Sequence, residues 1–163
     1  MRVYVGATAT DLKTLHVERM LRAPRRASAV TPALREWYAE GVAEELEYVA
    51  LTLAADDALG LLHERPDEPR RRTVVACDVP DDTVRADPAA GRAVVTLTAD
   101  VPIDHVAAIH IDDDEAAEVV RRAADECGRA ATGDADAAFA VDETHDHELL
   151  WHATQELAAL VNI

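Results

Sequence analysis

Aromatic side chains make up only 4% of this 163-residue chain: two Trp, three Tyr and one Phe. A core short of large rings is filled by Ala, Val and Leu, which favours close approach of backbone elements over a large cofactor cavity. Cysteine is equally scarce. Cys77 and Cys127 are too few for a disulfide framework and neither belongs to a C-x-x-C pair, so both are expected as reduced thiols in a cytoplasmic protein. Neither has a neighbouring His or Arg to activate it as a nucleophile. Lys13 is the only lysine among 16 basic residues. No apolar run reaches the roughly 18 residues of a membrane-spanning helix. The chain starts directly on strand-like sequence (Val3, Tyr4, Val5), without the pattern of a secretory leader. Among catalytic signatures, G-x-S-x-G, the P-loop and G-x-G-x-x-G are all missing.

What is abundant is negative charge. Thirty-two acidic residues stand against 16 basic ones, a net of −16. Residues 1–80 hold 11 basic and 13 acidic residues, whereas residues 81–163 hold 5 and 19. Such a field repels phosphate backbones and anionic lipid, so neither nucleic acid nor a membrane is expected as a partner. It attracts cations and basic proteins. The same excess of Asp, Ala, Val and Arg also arises from high-GC coding or salt adaptation, which leaves a compositional origin open beside a functional one.

The organising stretch is Thr31 to Leu62. Thr31-Pro32 is a helix start, because Thr offers a side-chain oxygen to the free N–H groups and Pro at the first position loses no bond. Gly41 then allows a break, and Val42, Leu46, Val49, Ala50, Leu53, Ala54 and Leu61 recur at helical steps. Trp37 and Tyr38 are expected as large core blocks, with an aromatic contact surface as the alternative. Before this region lie a strand at Val3 to Val5 and a helix from Asp11 to about Leu21, capped by Thr8 or Thr10. After it, strands are expected at 72–79, 92–99 and 105–111, with short connections that favour an antiparallel meander. Asp112-Asp113-Asp114 opens a further helix, which Gly128 can end. These aspartates have the composition of a metal site but equally that of a helix cap. A short strand is expected at Ala137 to Val141. The whole reads as an α+β single domain over 1–163: one mostly antiparallel sheet of about four strands packed by helices.

Two constellations carry possible chemistry. If the C-terminal segment from Glu143 to Leu157 is helical, His145, Glu148, His152 and Glu156 share one face at three- and four-residue spacing, opposite an apolar face. Imidazole and carboxylate together are ligands for Zn, Mn or Fe, and a Glu beside a bound divalent metal can serve as general base. His147 and Asp112 are possible extra ligands, and His110 lies on the adjacent expected strand. The same spacing equally describes an ordinary solvated helix face, and the segment lacks H-E-x-x-H. The second constellation is basic. Arg25, Arg26, Arg70, Arg71 and Arg72 would offer forked donors to a phosphate or carboxylate if they met in space, and otherwise pair with the chain's own acids.

Three stretches, Met1 to Val5, Val30 to Gly41 with Glu44 to Tyr48, and His147 to Leu157, resemble an uncharacterised actinobacterial family, a domain of unknown function, over nearly the whole chain. The resemblance implies a cytoplasmic single-domain protein and transfers no catalytic residue or cofactor. The expected function is therefore a non-catalytic cytosolic protein acting through protein contacts, as a homodimer or with a basic partner. The alternative is a metal-binding protein or metal-dependent hydrolase.

Overall fold

A computed structural model of the chain describes residues 1–162. Strand β1 (Arg2–Ala7) leads into helix α1 (Ala9–Glu18), where Thr8 and Asp11 form a reciprocal capping box. The helix is shorter than expected. Arg19 turns left-handed (φ 61°), and Met20–Leu21 become a short strand, β2. Strand β3 (Arg25–Ala29) follows, within a stretch read from the sequence only as a basic cluster. Helix α2 (Pro32–Trp37) is capped by Thr31 as expected and stops before Gly41, and α3 (Ala43–Glu64) then runs for 22 residues. Next come β4 (Thr73–Asp78), β5 (Val84–Ala86), β6 (Val94–Leu97), β7 (Val101–Pro102) and β8 (Val106–Ile111). Helices α4 (Ala117–Ala131) and α5 (Ala135–Asp142), strand β9 (Leu150–His152) and the short α6 (Leu157–Leu160) complete the described chain.

Among the described residues the main sheet has seven strands, not four, in the order β5-β6-β3-β1-β4-β8-β9, and β2 pairs separately with β7. Every pairing is antiparallel. The expected meander is not formed. Strand β4 lies between β1 and β8, and β6 between β3 and β5, so β1, β3 and β6 separate β4 from β5, the strand that follows it in sequence. The physical reason is burial. β1 is covered on both faces from Val3 to Ala7 and takes the centre of the sheet, where both its edges are paired.

The two faces of the sheet are built differently. Val3, Val5 and Ala7 join Val75, Cys77, Val95, Leu97, Ile109 and Ile111 in a branched-chain layer under Leu12 and Leu15 of α1 and Leu157 and Leu160 of α6. On the other face, Tyr4, Val74, Ala76 and Ala108 meet Ala50, Ala54 and Ala55 of α3. Here helix and sheet nearly touch. A Cβ added to Gly6 would lie 2.6 Å from the Ala54 carbonyl oxygen and 2.9 Å from the Ala58 nitrogen. The alanine-rich composition thus has a structural use: it seats α3 directly on β1. Further along, α3 packs Leu59 and Leu62 against Val120, Ala123 and Ala124 of α4.

Three other local expectations are corrected. Residues 137–141 are helical within α5, not a strand. Helix α4 continues past Gly128 to Ala131, with Gly133 (φ 96°) supplying the turn beyond it. The helix expected over 143–157 is replaced by a 3-10 turn at Glu143–Asp146, strand β9, a second 3-10 turn at Thr154–Glu156 and α6. Pairing to the open edge of β8 (Ile109 opposite His152, His110 opposite Trp151, Ile111 opposite Leu150) supersedes the local helical periodicity. The aromatics also depart from expectation. Trp37 is 62% exposed and Tyr38 42%, so neither is a core block.

Candidate functional site

Helix α3 has two flanks, and both carry features a plain surface does not need. The first faces β8 and β9. Antiparallel register sets His110 opposite Val74 on β4 and Trp151 on β9, on the face covered by α3. One step beyond β4, Arg72 meets Asp112, which follows β8. The Arg72 backbone N–H and Nε both donate to Asp112 Oδ2 at 2.8 Å, and Nη2 donates to Oδ1 at 2.7 Å. Nη2 also donates to the His147 carbonyl at 2.9 Å. Both side chains are almost wholly buried. Such a forked pair is geometrically strict, and the loss of either partner would strand a charge in the interior.

Above this pair opens a cleft of about 230 Å³, walled by Tyr48, Leu51, Thr52, Leu149 and Trp151, with Arg72, His110, His145, His147 and Glu148 as its polar members. Burial, with Arg2 and His152 adding repulsion, holds the His110 imidazole below its usual pKa, so it is neutral near pH 7. His145 Nε2 lies 3.0 Å from Asp56 Oδ1 and ties the turn after α5 to α3.

The second flank faces α2 and β6. Leu34, Trp37, Tyr38, Val49 and Leu53 line an open groove with Arg92, Ala93 and Val94. The Arg92 guanidinium lies over the Trp37 ring, 3.6 Å from its centroid. Val42, just before α3 and 58% exposed, extends the apolar surface.

The sequence-derived ligand set is divided by this geometry. His145 and Glu148 line the cleft, whereas His152 does not; it lies on β9 with Nδ1 3.6 Å from Glu156 Oε1. Strand alternation sends His152 and Trp151 to opposite sides of β9. Among the described residues no three His, Cys, Asp or Glu side chains converge as a metal ligand set. Asp112, weighed as an extra ligand or a cap, is instead the partner of Arg72, and the capping residue is Asp113.

The five arginines of the basic constellation are likewise apart. Arg25 and Arg26 line an open groove with Arg22 and Arg65, without Arg70, Arg71 or Arg72. Arg25 pairs with Asp11 at 2.9 Å and Arg26 with Asp57 at 3.2 Å. Burial would raise Asp11, but Arg25, the Thr8 N–H and Arg65 outweigh it and lower its pKa; at Asp57 burial outweighs Arg26 and the pKa rises. Arg70 donates to the carbonyls of Leu62, Arg65 and Glu68 and closes the C-terminus of α3. Arg71 pairs with Asp114. The pairing of Arg72 with Asp112 was not legible, because it requires β4 and β8 to be neighbours.

Comparison with known proteins adds the family. Residues 1–161 match a family of unknown function, DUF6912. The chain belongs to that family. Its match spans both flanks of α3, so the cleft and the aromatic groove both lie within the family's extent. No curated protein and no solved structure matches the chain.

Proposed function

We propose that this protein is a cytoplasmic, non-catalytic binding module that takes up a basic protein segment on the face formed by α2 and the first half of α3. The observation that carries this reading is the placement of its few aromatic residues. Five of the six (Trp37, Tyr38, Tyr48, Phe139 and Trp151) are exposed, and only Tyr4 is buried. Exposing scarce large side chains forgoes core packing, whereas aromatic residues are enriched where proteins meet. Residues 36–57 hold three of these rings, no Lys or Arg, and seven acids, of which Asp56 and Asp57 pair with His145 and Arg26 while Glu36, Glu40, Glu44, Glu45 and Glu47 are in no ion pair among the described residues. Rings interleaved with carboxylates suit arginine-bearing segments, since a guanidinium stacks on the ring while acids neutralise it. The stacking of Arg92 on Trp37 is an intramolecular instance of that chemistry. The same charges disfavour a second copy of this chain on this face, because like would meet like. Free cysteines at positions 77 and 127 suit a reducing compartment.

The test places a photo-cross-linking residue at position 38, in the groove, in the native cell, followed by reconstitution with the purified captured protein. A basic partner is expected. Its affinity should fall about tenfold, or 1.4 kcal/mol, with Trp37→Ala or Tyr38→Ala. It should hold with Phe139→Ala, a control on the exposed α5 surface. Capture of only a second copy of the chain, or equal affinities for Trp37→Ala and Phe139→Ala, would overturn the reading.

A further inference from the structure

The cleft on the other flank of α3 offers hydrogen-bond donors that the rest of the protein does not use. A guanidinium carries five N–H donors. In Arg72, Nε and one Nη2 hydrogen are taken by Asp112, and the second Nη2 hydrogen by the His147 carbonyl. The two donors on Nη1 have no protein acceptor among the described residues. Arg72 is only 1% exposed, and Nη1, which is not among the buried atoms without a partner, is the edge left to line the cleft and meet its water. Two donors held in a fixed direction at the base of a cleft are ready to donate to a ligand oxygen in place of the water there, provided that the oxygen reproduces the water's hydrogen bonds.

We infer that this cleft is a binding site for a small, neutral, single-ring molecule whose carbonyl oxygen accepts from Arg72 Nη1. Neutrality follows from the charges around the site. Asp112 already balances Arg72, Glu148 lines the cleft, and Asp56 stands behind His145, so a carboxylate or phosphate would meet no uncompensated cation. The rings of His110 and His147 make no hydrogen bond to protein among the described residues. The neutral His110 ring presents one donor and one acceptor, which suits the mixed edge of an amide-bearing heterocycle. Tyr48 and Trp151 supply aromatic walls, with Leu51 and Leu149 beside them. At about 230 Å³ the cleft is below the roughly 300–1,000 Å³ of drug-sized sites, which fits one ring and excludes a whole nucleotide.

The experiment is a titration of the full chain labelled with ¹⁵N, following the Arg72 Nε–H resonance, with nicotinamide and uracil as neutral carbonyl probes. Nicotinate supplies the carboxylate counterpart and methylpyridine the ring without an acceptor. A saturable shift in the millimolar range is expected for nicotinamide, uracil or both, with nicotinate and methylpyridine at least severalfold weaker. Thr52→Phe, which fills the cleft while keeping the Arg72–Asp112 pair, should abolish the shift. Trp151→Ala, an exposed position where the fold is retained, should weaken binding severalfold. The assignment is overturned if neither carbonyl probe moves the resonance, as when water alone satisfies Nη1, if nicotinate or methylpyridine binds as well, or if neither variant changes the response.

Discussion

Along α3, one residue step separates two kinds of surface. Tyr48 and Thr52 look into the cleft, whereas Val49 and Leu53 look into the groove beside α2. The cleft side is organised by a buried, doubly bonded charge pair, and its polar groups constrain what can enter. The groove side has apolar and aromatic surface, with Arg26 and Arg92 beside Asp56 and Asp57 in its lining, and its unsatisfied property is exposed area. The first takes an acceptor atom at one point; the second takes a covering surface. A single helix can serve both because a rotation of about 100° per residue sends neighbouring positions to different neighbours.

The deepest way to break this contrast is to remove the charge pair. Asp112→Ala leaves the Arg72 guanidinium buried and uncompensated, and should cost about 3–5 kcal/mol in urea unfolding and collapse the cleft. The groove would survive only where enough folded protein remains. Gly6→Ala acts on both flanks, since its methyl group would drive into the α3 backbone at Ala54 and Ala58. A loss of about 1–3 kcal/mol is expected, measurable as a lowered urea midpoint. Trp37→Ala sharpens the comparison from the other side. It should leave stability within about 1 kcal/mol, because the ring is exposed, while partner affinity falls.

The smallest effect is one of pH. His110 has its folded pKa lowered, chiefly by burial, so the unfolded chain binds its proton more readily than the native one. The stability this group contributes is therefore complete above its unfolded value, about 6.5, and is lost as pH falls through that value towards the folded one. Urea unfolding between neutral and mildly acidic pH should show this slope in the wild type and a flatter one in His110→Gln. An unchanged slope would assign the acid sensitivity elsewhere.

Much of the scaffold was legible. Thr31-Pro32 marked the start of α2, Gly41 the break, and the three- and four-residue recurrence the body of α3, because these signals act through bonds and contacts within a turn or two. The strands at 73–78, 94–97 and 106–111 were visible for the same reason. Strand β3 was hidden, since Arg-Arg-Ala-Ser-Ala has little apolar alternation; its small residues make sense only in a sheet centre. The C-terminal segment misled because its His, Glu and Leu spacing is helical while the open edge of β8 offered backbone hydrogen bonds. Trp37 and Tyr38 misled because scarcity of aromatics was taken to imply burial, whereas Ala and Val fill the core.

Composition and local pattern thus determined the fold class, the long apolar helix, the free thiols and the acidic surface, all of which depend on properties of single residues or near neighbours. Only the tertiary structure decided that Arg72 faces Asp112, that His145 and Glu148 part company with His152 and Glu156, and that the aromatics point outward. Each of these depends on which strands lie side by side. That order is set by burial of β1 on both faces and the close seating of α3 at Gly6, interactions between residues distant in sequence that no local window contains.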